Sequence, residues 1–261
     1  MSRVEAVIRA NQATNRKTLV GYFPAGYPTE VESIEACVAM CESGVDILEL
    51  GIPYSDPVMD GLVIQQATEA ALANGFKLRN VFNVVKGIRE KVDTPILLMS
   101  YWNPVLQYGL ERFAQDLAES GAQGLITPDL IPDEARAWLE ISDELALDRV
   151  FMATPSSSPE RLAKAANLSR GFVYGVSTMG ITGTREDLDA KARAVVSGVV
   201  ESGSKTPVCV GIGISTPEQV LEVNSYADGA IVGSAIIKAY NAAGIAGLVN
   251  FVKSLKAESS R

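Results

Sequence analysis

Apolar runs of strand length recur along the chain at a steady interval: Thr18–Phe23, Asp46–Gly51, Pro95–Tyr101, Gly124–Thr127, Arg149–Ala153, Phe172–Val176, Val208–Gly211 and Ala230–Gly233. They are rich in Val, Ile and Leu and lack polar alternation, the pattern of parallel strands buried on both faces. Amphipathic segments lie between them, among them Glu30–Cys41, Leu110–Glu119, Glu134–Leu145, Pro159–Ala166, Leu188–Glu201 and Pro217–Val223. Ser158-Pro159-Glu160 and Ser215-Thr216-Pro217-Glu218 carry helix-start chemistry, with Pro in the first turn and Glu behind it. Asn80–Lys91 reads as an extra helix between the second and third strands, and Met1–Asn15 as a leading helix. Eight strands alternating with helices predict a (β/α)8 barrel. An open doubly wound sheet is the alternative, but Gly21-Tyr22-Phe23-Pro24-Ala25-Gly26 is not its usual glycine fingerprint. No linker-like segment interrupts the pattern, so residues 1–261 read as one barrel domain.

Composition narrows the function classes. The 261 residues are 47% hydrophobic and 21% charged, as in an ordinary globular protein. With 23 basic against 31 acidic residues the net charge is −8, which argues against nucleic acid or an anionic membrane as main partner. An anionic substrate would then need local donors such as backbone N–H groups. Cys37, Cys41 and Cys209 show no paired spacing and suggest a reducing compartment. Cys37 and Cys41 stand four apart on a helix, but packed thiols explain them better than a metal does. The N-terminus lacks an apolar signal region and no run reaches 18 apolar residues. A cytoplasmic protein is expected.

The stretch 46–66 carries the densest chemistry. It puts Glu49 near the end of an apolar strand and Asp60 in the following loop, in a chain with no histidine. Proton transfer must therefore fall to carboxylates, Tyr, Lys, Cys or water. Desolvation between Leu48 and Leu50 would raise Glu49 toward a useful acid–base range. A structural ion pair with Lys or Arg would use the same residue, and the strand alone does not separate the two.

Active sites of such barrels lie at the C-terminal strand ends. Those positions here hold Tyr22, Glu49, Tyr101 with Asn103, Asp129, Thr154, Tyr174, Gly211 with Gly213, and Gly233 with Ser234. No lysine is among them, which speaks against a Schiff-base aldolase. No ligand cluster with suitable spacing appears, so no metal site is expected. The last two strands end in small residues whose backbone N–H groups are exposed, and a helix starting at Ser234 would attract an anion. Phosphate is the expected ligand there, against glycines needed only for tight turns. The loop 177–185, with two glycines, has the composition of a hinged lid, although a plain connector reads the same way.

These residues together resemble the alpha subunit family of tryptophan synthase. The family signature, Leu-Glu-Leu-Gly-(Val/Ile)-Pro-Phe-Ser-Asp-Pro followed by Asp-Gly-Pro and Ile-Gln, stands here as Leu48 through Gln65, with Tyr54 for Phe and Leu62 for Pro. The similarity continues through Gly26–Pro28, Tyr101–Asn103, Asp129–Pro132, Gly180–Gly183, Gly211–Ser215 and Gly233–Ser234. It implies retro-aldol cleavage of indole-3-glycerol phosphate to indole and glyceraldehyde 3-phosphate. By the same resemblance Glu49 handles the protons and Asp60 holds the indole N–H. Gly183, Gly213, Gly233 and Ser234 would bind phosphate, while Tyr22, Met99, Thr127, Ala153, Tyr174 and Ile212 would line the pocket. Thr182 would close the lid on Asp60, and Pro53 and Asp56 would meet a beta chain in an alpha2–beta2 complex. No cofactor is expected in this chain, with pyridoxal phosphate in the beta partner. Thr178 stands where enteric members carry Arg, and with Tyr54 and Leu62 it marks a departure that bears on lid closure and loop stiffness. A freestanding lyase that releases indole, a regulatory module with weak catalysis, and another phosphosugar enzyme such as an isomerase are the competing readings. The isomerase leaves the long signature unexplained, and the two carboxylates argue against a purely regulatory role.

Overall fold

A computed structural model describes residues 1–176, 185–211 and 213–259, with the backbone alone for 185–188. Its strands are β1 (Thr18–Pro24), β2 (Ile47–Gly51), β3 (Ile96–Met99), β4 (Gly124–Ile126), β5 (Asp148–Val150), β6 (Met152–Ala153), β7 (Val173–Val176), β8 (Val208–Gly211) and β9 (Gly229–Val232). All pair in parallel, in the order β5-β4-β3-β2-β1-β9-β8-β7-β6. The two ends of that order, β5 and β6, are consecutive pieces of one strand interrupted at Phe151. Its carbonyl still accepts the Tyr174 N–H at 3.1 Å, while its N–H turns to Ser169 Oγ at 3.1 Å. The sheet therefore closes on itself as the expected eight-stranded barrel.

The helices are α1 (Arg3–Ala13), α2 (Glu30–Glu42), α3 (Leu62–Ala73), α4 (Val81–Arg89), α5 (Trp102–Tyr108), α6 (Leu110–Ser120), α7 (Arg136–Glu144), α8 (Pro159–Leu168), α9 (Arg185–Glu201), α10 (Pro217–Asn224) and α11 (Ser234–Ser259). Ser2, Thr29, Ser158 and Thr216 cap their helices with side-chain oxygens, as short polar residues at helix starts do. Two helices, α3 and α4, stand between β2 and β3, where the pattern predicts only the second. The first lacks a side-chain cap and starts at Leu62 straight after Gly61, so no start signal marks it. Leu62 is the first helical residue, the position where the proline of the family signature costs no hydrogen bond.

α11 is long and apolar enough to cross a membrane by length and composition. Its backbone leaves the helical region at Ala243 (φ −148°, ψ 24°) and Gly244 (φ 59°, ψ −152°). The break divides it into two pieces, each shorter than the roughly 20 residues a span needs. Ile236, Ile237, Leu248, Val252 and Leu255 are buried.

Two apolar layers result. One lies inside the barrel and contains Val20, Ile47, Leu97, Ile126, Val150, Tyr174, Cys209 and Ile231, with Val4 and Ile8 of α1 plugging its floor. The other lies between the barrel and the helices and contains Leu19, Leu48, Leu98, Leu125, Phe151, Val173, Val210 and Val232. The two sets differ by one residue along each strand, as strand geometry requires.

Candidate active site

That alternation sets which side chains reach the barrel mouth. Ile47 points inward, so Glu49 does too, one step nearer the C-terminal end and beside Tyr22 of β1 and Leu97 of β3 in register. By the same parity Met99 and Met152 pack on the inner layer. A cavity of about 570 Å³ opens there, lined by Tyr22, Glu49, Asp60, Met99 and Tyr174 with Gly213, Gly233 and Ser234.

Glu49 is 2% exposed, and its Oε2 has no hydrogen-bond partner. Among the described residues no cation pairs with it, so the structural ion pair that the strand left open is not formed. Burial first, and the Asp60 charge second, push its carboxyl up to about 8. Near neutral pH this group keeps a proton that it can donate.

Asp60 lies in the loop between β2 and α3. Burial raises its carboxyl too, while the Tyr101 hydroxyl, donating to Oδ1 at 3.1 Å, pulls it back down. Gln65 Nε2 donates to the Asp60 carbonyl at 2.6 Å. The phenols of Tyr22 and Tyr174 are held well above their ordinary range, mainly by burial. They act as neutral walls. Glycine makes room for both: a Cβ on Gly51 would stand 2.2 Å from Tyr22 Oη, and one on Gly211 would stand 2.4 Å from Tyr174 Oη.

The glycine loops line the same cavity. Gly213 has φ +87°, a left-handed conformation that glycine adopts without strain. Gly233 lies under Tyr22, 3.2 Å from Cδ1 to an added Cβ, and leads into the N-terminus of α11 at Ser234. Lys238, one helical turn on, also lines the cavity. Backbone N–H groups at a helix start beside a lysine suit an anionic group.

Two expectations change. Thr127 is 1% exposed and Ala153 is fully buried, and neither lines the cavity; their neighbours Pro128 and Met152 do. Ala153 belongs to the layer behind the barrel wall, because Val150 and Met152 take the inward parity. Pro53 is buried in the chain, whereas Asp56 is exposed and accepts from Ser55 Oγ at 2.6 Å. Of the other strand-end residues, Asp129 accepts the Trp102 N–H at 2.9 Å and so caps α5. Thr178, Thr182, Gly183 and Ile212 lie outside the described residues, as does the 177–184 loop. Met59, Gln65 and Ile231 also line the cavity without having been singled out. Gln65 stands inside the signature, and Ile231 sits two residues before Gly233 on the inward face, so both carried a readable signal.

The family described as tryptophan synthase alpha chain matches residues 8–258. The chain is 56% identical over 246 residues to the tryptophan synthase alpha chain of Leifsonia xyli subsp. xyli, covering 94% of each. It is 51% identical over 238 residues to that of Mycobacterium marinum, covering 91% of this chain and 88% of the relative. Among solved structures, Mycobacterium tuberculosis tryptophan synthase superposes with a TM-score of 0.93 at 46% identity, covering 100% of this chain and 99% of the other. Tryptophan synthase subunit alpha from Legionella pneumophila gives 0.89 at 34% identity, covering 99% and 98%.

Proposed function

The chain belongs to the tryptophan synthase alpha chain family and is a carbon–carbon lyase of tryptophan biosynthesis; we propose that Glu49 and Asp60 cleave indole-3-glycerol phosphate between them. Protonated Glu49 donates to C3 of the indole, and the resulting carboxylate takes the proton of the C3′ hydroxyl. The C3–C3′ bond then breaks, its electron pair returns to the indole ring, and the C3′ oxygen becomes the aldehyde of glyceraldehyde 3-phosphate. Glu49 ends protonated, as it began. Asp60, ionised, accepts the indole N–H and stabilises the positive charge that appears on that nitrogen once C3 is protonated. Gly213, Gly233 and Ser234, with Gly183, bind the phosphate through backbone donors. Tyr22, Met99 and Tyr174 enclose the ring, and Thr182 closes the lid onto Asp60.

The observation that carries this reading is Glu49 itself: buried, without a cation among the described residues, and raised to about 8 beside a second carboxylate on the same cavity. Two carboxyl groups in different environments are how one site runs acid and electrostatic roles together. Asp60→Asn should lower kcat by about 10²-fold with little change in KM, because the charge it meets develops only in the transition state. An effect confined to KM would remove that role.

A beta chain is the partner the family implies, and an alpha2–beta2 complex with pyridoxal phosphate on the beta chain is our reading of it. Val58 and Leu62 on the cavity rim are 79% and 69% exposed, next to exposed Asp56, and give such a chain an apolar and acidic surface. Indole is small and neutral and would diffuse away, so docking the mouth against its consumer serves a purpose. We place the protein in the cytoplasm. The decisive assay is indole release by the full chain with indole-3-glycerol phosphate, with and without a beta chain. A slow chain accelerated by the partner fits this reading, whereas full activity alone would make it a freestanding lyase.

A further inference from the structure

The phenol of Tyr101 makes two hydrogen bonds whose directions are fixed by chemistry. The Met59 N–H lies 2.9 Å from its oxygen and can only donate, so the phenol oxygen accepts there. Its single hydrogen is then free for Asp60 Oδ1 at 3.1 Å. One side chain thus holds both the backbone of the Asp60 loop and the carboxylate. Tyr101 is 2% exposed and is not part of the cavity wall, so it acts through Asp60 and does not touch substrate.

The backbone behind this phenol is anchored on both sides. Ser100 N–H donates to the Ile126 carbonyl at 3.1 Å, and Trp102 N–H to Asp129 Oδ1 at 2.9 Å. The loop in front is exposed at Ser55, Asp56, Val58 and Gly61. An outer link connects the two: the Tyr54 ring lies against the Tyr101 ring with centroids 5.5 Å apart, and Tyr54 Oη accepts from Asn103 Nδ2 at 3.1 Å. The family signature has Phe at this position, and a Phe cannot accept that bond. We propose that Tyr101 is the positioning residue for Asp60, fixing its carboxylate and its loop as one unit, and that Tyr54 and Asn103 tie the loop's outer face to that unit. This inference rests on the role given to Asp60 above.

The test uses the full chain with its beta chain and measures kcat, KM and the pH profile for indole-3-glycerol phosphate. Tyr101→Phe keeps the ring and removes only the hydroxyl. It should lower kcat by about 10-fold while KM stays near its starting value, since positioning serves the transition state. The bond favours the ionised form of Asp60, so its loss should move the acidic limb of the profile to higher pH. In an Asp60→Asn background the same substitution should add almost nothing. Tyr54→Phe, which disturbs packing least, should give a smaller loss in kcat of the same kind, about 2-fold. An unchanged kcat and acidic limb in both tyrosine variants, or an undiminished loss in the Asp60→Asn background, would overturn the inference. Fully active Asp60→Asn would overturn it together with the proposed function; impaired Asp60→Asn beside normal Tyr101→Phe would overturn this inference alone.

Discussion

Buried carboxyl groups occupy both ends of the barrel. Glu49 stands at the mouth, 2% exposed, and Asp148 at the floor, where β5 begins, 1% exposed. Burial raises both, Glu49 to about 8 and Asp148 to about 6. Their neighbours differ. Ser2 first, and then the Arg170 and Arg149 charges, pull Asp148 back down, whereas the charge that acts on Glu49 is another carboxylate, Asp60. The rest of the floor follows the same rule. Asp46 accepts from Leu19 N–H at 2.8 Å and from Lys256 at 2.6 Å, so it ties β1 to α11. Asp228 accepts from Val208 N–H and from Gln12. Arg149, 9% exposed, donates to the Leu168 carbonyl at 2.7 Å and to Asp143 at 2.6 Å, and Arg170 meets the same carboxylate. Desolvation makes a carboxyl group unusual, and the groups that face it decide whether it becomes a strut or a reagent.

The largest effect that separates the two ends is on catalysis. Glu49→Gln should leave the barrel folded and lower kcat by about 10²–10⁴-fold, because no histidine is present to replace it. Near-normal turnover in a folded Glu49→Gln protein would end its assignment. The matching change at the floor is Arg149→Ala. It should cost about 1–2 kcal/mol in unfolding free energy by removing its hydrogen bonds to Ser142, the Leu168 carbonyl and Asp143, with kcat unchanged, as read by denaturant melts and steady-state rates. A large loss of kcat at equal stability would mean that the floor is not merely structural.

A finer contrast comes from pH. Both groups have folded-state pKa values above their ordinary ones, 4.5 for Glu49 and 3.8 for Asp148. Between the two values the unfolded chain has lost the proton and the folded chain keeps it. The unfolded state therefore binds fewer protons, and stability falls as pH rises. The stability advantage of Glu49→Gln over the parent, read from denaturant melts, should thus grow from pH 4.5 to about 8, reaching on the order of 5 kcal/mol. That of Asp148→Asn should stop growing near pH 6. Parallel curves for the two variants would contradict the assigned environments.

The smallest effect uses two glycines with similar backbones. Gly213 at the mouth and Gly203 before β8 have φ +87° and +80°, and an added Cβ would meet nothing within 4 Å at either. Alanine should strain each by about 1 kcal/mol. Only Gly213→Ala should also weaken glycerol phosphate, about 3-fold by calorimetry, since only its loop faces the ligand. Equal affinity in both variants would move the phosphate elsewhere.

Much of this could be read from the chain. The spacing of Val-, Ile- and Leu-rich runs determines eight parallel strands, the Pro-led polar starts mark helices, and Leu48-Glu49-Leu50 puts a carboxylate where only burial awaits it. The same feature that makes the strands legible hides which way they face. Strands apolar on both sides show no alternation, so nothing in 124–128 or 150–154 says whether odd or even residues point inward. The resemblance put Thr127 and Ala153 at the pocket, while closure of the barrel assigned the wall to Pro128 and Met152. The lack of a cation beside Glu49 among the described residues, the hydroxyl of Tyr101 on Asp60 and the rise of Glu49 to about 8 follow from how residues far apart in sequence are brought together. Local pattern determines elements; only their three-dimensional closure decides which groups lose water and which gain a partner.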